Sequence, residues 1–174
     1  MIKNTSILFF FSLLLLLFSC NSEEQTKKEI NNTISELYQK DWSIYDSIPR
    51  KLISTDLMNK IDSVRKITKN DEERIAKSAS PTDKPILLEG SIFSSLYEGW
   101  TKFSIQKISI KDGQAEAIID FENNTGNPLE KWTDTVVLVN ENGWKVDNVL
   151  YSKKYSESKD LKEKLNTISL IQKK

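Results

Sequence analysis

The sequence predicts an α+β fold, with N-terminal helices packed on a curved antiparallel four-stranded sheet that forms a cone, plus a C-terminal helical tail. Two patterns support this prediction. Apolar residues of the first half recur at helical spacing, whereas those of the second half alternate between apolar and polar positions separated by turn residues. Helices followed by a run of strands is the element order of an α+β domain.

The helical half contains two amphipathic stretches and a shorter charged one. The first runs from Thr26 to Lys40, and the second follows the irregular stretch from Asp41 to Pro49; their apolar stripes are Ile30, Ile34, Leu37 and Tyr38, then Leu57, Ile61, Val64 and Ile67. A separate short helix is predicted from Asp71 to Lys77. Proline and other turn residues predict a loop from Ala79 to Lys84.

The second half predicts two hairpins. A strand from Phe103 to Lys111 enters the turn Asp112-Gly113, whose residues tolerate positive φ. The apolar positions of this strand change face midway, which predicts a β-bulge. The return strand alternates, with Ala115, Ala117, Ile119 and Phe121 on one face. A third strand from Lys131 to Val139 turns at residues 141–143 into a fourth, from Trp144 to Tyr151. Beyond it, Leu161, Leu165 and Ile168 lie at helical spacing in a tail that either docks on the domain or hangs free.

The N-terminus predicts export and lipid anchoring. Lys3 precedes an apolar run from Ile7 to Phe18, which has the layout of a secretory signal but is short for a membrane-spanning helix. The sequence Leu17-Phe18-Ser19-Cys20 resembles the lipobox of bacterial lipoproteins, which implies acylation of Cys20 and cleavage before it. Several acyl chains on one residue anchor a protein stably. The competing interpretation is an uncleaved anchor or a small buried cysteine.

These segments predict four parts of the chain: a signal peptide over residues 1–19, a lipidated tether over 20–28, the cone-like α+β domain over 29–151, and a polar linker with a C-terminal helix over 152–174. The Asn-Ser-Glu-Glu after Cys20 resembles an acidic sorting signal for the outer face of the outer membrane. An ordinary solvated tether explains it equally well. The predicted location is therefore the cell envelope, at the outer membrane.

Composition excludes several classes of function. The 25 basic and 25 acidic residues balance, and only three basic residues, Arg50, Arg65 and Arg74, are arginines, so neither steering toward nucleic acid nor bidentate phosphate recognition is expected. Histidine is absent, which removes histidine-based triads, general bases and zinc sites. We predict no metal, no cofactor and no nucleic-acid partner. Because Cys20 is the only cysteine, no intramolecular disulfide can form.

Three blocks of sequence carry a family resemblance: PTDKPILLEG at 81–90, SLYEGWTKF at 95–103 and EKWTDTVVLVNENGWKVDNVLY at 130–151. Together they resemble an uncharacterised family of bacterial envelope lipoproteins with a fold similar to nuclear transport factor two, the cystatin-like cone. The resemblance covers roughly residues 30–151. It implies a sheet wrapped around helices to leave a conical cavity, and pairing of two copies through the open face of the sheet. It implies no catalytic residues.

Candidate site residues are the large aromatics that would line such a cavity and the carboxylates that a cone enzyme would need. The aromatic candidates are Trp42, Tyr45, Tyr97, Trp100, Trp132 and Trp144. The structural interpretation, in which these side chains are simply core, competes with the cavity interpretation. The candidate carboxylates are Asp41, Glu89, Glu98, Asp120, Asp134 and Asp147.

Three functions follow from these patterns. The first is a lipid-anchored, non-enzymatic envelope protein whose domain binds a small-molecule ligand or another protein. The second is an immunity-like inhibitor of an envelope toxin. The third is an enzyme that uses carboxylates and tyrosines in the cone. Because no catalytic motif is present, we expect the first.

Overall fold

The computed structural model describes residues 23–171, so the predicted signal peptide, Cys20 and the last three lysine-rich positions lie outside the described residues. The fold class is confirmed: three α-helices accompany a four-stranded antiparallel sheet with strand order β1-β2-β3-β4. The strands are β1 (Lys102–Lys111), β2 (Gln114–Asn123), β3 (Glu130–Asn140) and β4 (Trp144–Leu150). Helix α1 covers residues 23–37, α2 is Thr55–Ala76 and α3 is Leu161–Ile171.

Two helices differ from the sequence prediction in their bounds. Helix α1 already includes residues 23–28, which were assigned to the tether, and it ends at 37 instead of 40. Helix α2 continues through the predicted separate helix at 71–77 as one element. Helix α2 continues because Thr68 and Asp71 lie on its buried face, where Asp71 accepts a hydrogen bond from the Ile86 backbone at 2.9 Å. A polar residue with a buried partner therefore interrupts the apolar pattern without ending the helix.

The hairpin predictions are confirmed. Asp112 and Gly113 have φ of 50° and 76°, and Asn142 and Gly143 have φ of 55° and 125°, as tight turns of this composition require. The register of β1 against β2 shifts between Ile105 and Lys107, where the bulge was predicted.

The core lies between one face of the sheet and the three helices. Alternate residues of β2 and β3 are buried, and the apolar stripes of α1 and α2 face them. Helix α3 docks on the domain, because Leu161, Leu165 and Ile168 are buried in the same core. Lys162 Nζ reinforces this contact with ion pairs to Asp147 at 2.6 Å and Asp56 at 2.8 Å.

Helix α1 runs antiparallel to β1. Tyr38, just after the helix, packs on Phe103 at a ring-centroid distance of 5.4 Å, whereas Lys27 and Lys28 share a cavity with Ile108. The start of α1 is thus beside the end of β1 that leads into the Asp112-Gly113 turn. The end of α1 lies at the opposite end of the sheet.

Candidate functional site

The six candidate aromatics fall into separate environments. Trp100 and Trp132 join an aromatic cluster around Phe121, at centroid distances of 5.6 Å and 5.4 Å. Trp144 is buried in the core. Trp42 donates from its indole to the Leu37 carbonyl at 2.7 Å, where it follows the end of α1. A cavity of about 470 Å³ over β1, β2 and β3 is lined by Trp132 but by none of the other five candidates.

Tyr45 and Tyr97 are more exposed than a cavity lining would be, at 45% and 55%. The Tyr45 hydroxyl lies 3.0 Å from the Thr68 hydroxyl and accepts the Leu88 backbone N–H at 3.1 Å. The ring of Tyr97 covers Gly90 so closely that a Cβ on Gly90 would lie 2.5 Å from it. Both tyrosines therefore fasten loops to the domain surface.

Asp134 is the one candidate carboxylate that is almost fully buried, at 1% exposure. Its Oδ1 accepts hydrogen bonds from the Ser95 hydroxyl and the Ser152 backbone, both at 2.8 Å. Its Oδ2 accepts the Ser95 backbone N–H at 2.8 Å and the Trp132 indole at 3.2 Å. Burial raises the pKa of Asp134, and these four donors oppose that shift because they favour the charged carboxylate.

Asp134 holds the middle of a loop, residues 90–99, through Ser95, and the five residues from Ser91 to Ser95 are all buried. Two tyrosines hold the rest: Tyr151 donates to the Ile92 carbonyl at 2.6 Å and Tyr38 donates to the Phe93 carbonyl at 2.8 Å. A buried loop must satisfy its backbone polar groups without regular secondary structure. These side chains do so from the turn after α1, from β3 and from the segment after β4.

Burial dominates the electrostatics of this region. It raises the pKa values of Tyr38 and Tyr151 well above the usual tyrosine value, and the Asp134 charge raises both further. Burial also lowers the pKa of Lys164, whose ammonium donates to the Ser91 carbonyl at 3.2 Å. The tyrosines thus stay protonated as donors to backbone carbonyls, and Asp134 acts as an acceptor. The cluster fixes the 90–99 loop.

Asp41 lies beside the last residue of this loop, where its carboxylate packs against Gly99. A Cβ on Gly99 would lie 1.9 Å from Asp41 Oδ2, and Gly99 has a φ of +71°. Desolvation raises the pKa of Asp41. The Ser91 hydroxyl beside Asp41 opposes that shift. The hydroxyl of Ser94 is buried and has no hydrogen-bond partner among the described residues.

The other candidate carboxylates make surface or inter-element contacts. Asp120 accepts the Thr133 hydroxyl at 2.6 Å, and Glu89 pairs with Lys84 at 3.0 Å. Asp147 joins Ser54 to Lys162. Glu98 is exposed. Residues 23–171 contain no cluster of three or more metal-ligating side chains. No helix in this part of the chain combines the length and apolarity needed to cross a bilayer.

The two edges of the sheet differ, which sequence reasoning did not predict. The β4 edge is covered at two points, by a parallel bridge from Ile53 to Val146 and by an antiparallel bridge from Asp160 to Leu150. Among the described residues β1 pairs only with β2, and none of its ten residues is buried. We call the free backbone and side chains of Lys102–Lys111 the β1 edge.

The β1 edge has two chemically distinct faces. On the inner face four apolar side chains pack on the core yet stay partly exposed: Phe103, Ile105, Ile108 and Ile110. The outer face carries the lysines Lys102, Lys107 and Lys111, and the strand has no acidic residue. No described carboxylate lies within ion-pair distance of Lys107 or Lys111, whereas Lys102 lies 3.9 Å from Glu122. An open groove of about 730 Å³ is lined by Ile108 and by the start of α1.

Comparison with known proteins gives no match to a protein-family model, to a curated protein or to a solved structure. The family resemblance described from the sequence therefore stays a prediction.

Proposed function

We propose that this protein is a lipid-anchored envelope protein whose α+β domain binds another protein and carries out no catalysis. The observation that carries the proposal is the exposed β1 edge. Among the described residues β1 is an uncovered ten-residue strand with a partly exposed apolar row, which is a template for pairing with a further chain. Proteins normally cover or shorten such edges, or protect them with bulges and lysines, and β1 has only the bulge and the lysines. The opposite edge of the same sheet is covered.

The interior polar groups support a non-enzymatic role. All four hydrogen bonds accepted by Asp134 come from groups of the protein, and both buried tyrosines donate to backbone carbonyls. A general base needs a lone pair directed at a substrate proton. The Asp134 carboxylate instead directs its lone pairs at Ser95, Ser152 and Trp132.

The sequence between the predicted lipid site and the domain supports a closely held domain. Only Asn21 and Ser22 separate Cys20 from the first described helical residue, Glu23. Three residue steps span at most about 10 Å when fully extended. An acylated Cys20 would therefore keep the start of α1, and the nearby end of β1, close to the bilayer.

The anchoring part of the proposal is tested by mass spectrometry and fractionation of the protein from its native cells. We expect a mature chain that begins at an acylated Cys20 and sediments with membranes, and a Cys20→Ala variant that no longer does. A wild-type chain without acyl mass, or a variant that fractionates unchanged, contradicts lipid anchoring.

The binding part is tested by crosslinking in intact cells followed by purification and proteomics. We expect a protein that is crosslinked in stoichiometric yield to the wild-type chain and is lost with Cys20→Ala. Native mass spectrometry that finds a retained small molecule, with no crosslinked protein, would contradict protein binding.

A further inference from the structure

We propose that the β1 edge docks an extended, acidic segment of a partner protein, which adds a fifth strand beside β1. The inference rests on the proposed protein-binding function and specifies the chemistry of the partner. In such strand addition, backbone hydrogen bonds supply affinity and the alternating side chains supply specificity. The two faces of the β1 edge define what those side chains must be.

The inner face requires apolar side chains at every second position of the docked segment. Phe103, Ile105, Ile108 and Ile110 pack on the core but lack a neighbour on their outer side, so each keeps exposed apolar surface. An added strand would place its own inward residues beside this row and bury that surface. The inward-facing apolar residues of β2, which has a neighbouring strand on both sides, are buried.

The outer face requires negative charge at the alternate positions. Lys107 and Lys111 carry charges with no described carboxylate partner, and Lys102 is only loosely paired. Carboxylates on a docked strand would lie beside these ammonium groups, at the cross-strand distances where opposite charges stabilise and like charges destabilise. A partner segment that alternates apolar and acidic residues satisfies both faces.

The same charges argue against edge-to-edge pairing of two copies of this chain. In an antiparallel β1–β1 pair, a strand with three lysines and no acidic residue would face its own copy. Like charges would then lie across the new strand pair. The occupant that fits is therefore a different, acidic chain.

The proposal is tested with two ten-residue peptides, one alternating valine with glutamate and one alternating valine with lysine, added to the full mature chain. Binding is measured by fluorescence anisotropy, and the site is mapped by hydrogen exchange. We expect the glutamate peptide to bind at least about tenfold more tightly and to protect the amides of residues 102–111. The preference should weaken as salt is raised.

Charge reversal provides the control. The double variant Lys107→Glu/Lys111→Glu should prefer the lysine peptide, whereas Lys69→Glu/Lys77→Glu, which alters an exposed lysine of α2 and the exposed lysine that follows its last residue, should keep the wild-type preference. Equal binding of the two peptides to the wild-type chain, or protection outside β1, would overturn the proposal. So would a cellular partner that is still captured by the β1 double variant, although the binding function itself would then stand.

Discussion

Ser95 donates to both oxygens of Asp134, through its backbone N–H and through its hydroxyl, each at 2.8 Å. The pair joins a loop and a strand that are 39 residues apart in sequence. Because Ser152 and Trp132 complete the set of donors, the carboxylate organises three segments of the chain at one point. Its role is to hold the buried 90–99 loop against the sheet.

Replacing Asp134 by asparagine should destabilise the fold. An asparagine amide substitutes an NH₂ group for one oxygen, and each oxygen of Asp134 accepts at least one N–H, so a donor must face a donor. An orphaned buried donor costs about 1–3 kcal/mol. Urea unfolding should show that loss for Asp134→Asn. Asp120→Asn, on the outer face of β2, serves as the control and should change stability by less than about 0.5 kcal/mol.

Gly90 should not tolerate alanine. Its φ of +81° disfavours any Cβ, and that Cβ would lie 2.5 Å from the Tyr97 ring and 2.8 Å from the Tyr97 carbonyl. We expect Gly90→Ala to lower the free energy of unfolding by about 1–3 kcal/mol, measured by chemical denaturation. Gly126→Ala is the matched control, because its Cβ would meet open space. Equal stability of the two variants would contradict the close packing of this loop.

Lys162 should matter more to stability than an exposed lysine that also forms an ion pair. It joins α3 to both Asp147 and Asp56, and its side chain and that of Asp147 are mostly shielded. Lys162→Ala should lower thermal stability by an amount equivalent to about 1–3 kcal/mol. Lys84→Ala breaks the exposed pair with Glu89 and should cost under about 1 kcal/mol. A larger loss for Lys84→Ala would refute the importance of the α3 contact.

Alkaline pH should unfold the domain through its buried tyrosines. Burial raises the folded-state pKa values of Tyr38 and Tyr151, so the native state retains their protons after the unfolded chain has lost them. The stabilisation that these two protonated tyrosines give the native state is fully present below the unfolded tyrosine pKa of about 10. It is lost as pH rises through the higher pKa of the folded state. Unfolding titrations should therefore show stability falling above about pH 10. The fall should be shallower in Tyr151→Phe.

Much of the fold is predictable because its signals are local. The positive-φ turns at Asp112-Gly113 and Asn142-Gly143, and the face change that marks the bulge, each depend on residues close together in sequence. The continuity of α2 through Asp71 is not predictable from the apolar pattern, because the partner that buries this carboxylate is Ile86, 15 residues away.

The candidate site was less predictable than the fold. Asp134 looks like any other carboxylate in the sequence, since its donors come from residues 95, 132 and 152. The sequence shows the lysines of β1, but their proposed role in binding an acidic segment depends on β1 being an uncovered edge of the sheet. That is a property of the strand order. The pairings of Ile53 and Asp160 that cover the other edge are likewise long-range.

Site-specific photocrosslinking in intact cells shows whether a partner protein docks on the β1 edge. A photoreactive residue would replace Ser109, which is exposed on β1, or Lys69, which is exposed on α2. We expect one partner protein to be crosslinked from position 109, and we expect it to be absent from position 69 and absent when Cys20→Ala is combined with the probe. A partner captured from position 69 but not from 109, or no partner from either, would contradict binding through the β1 edge.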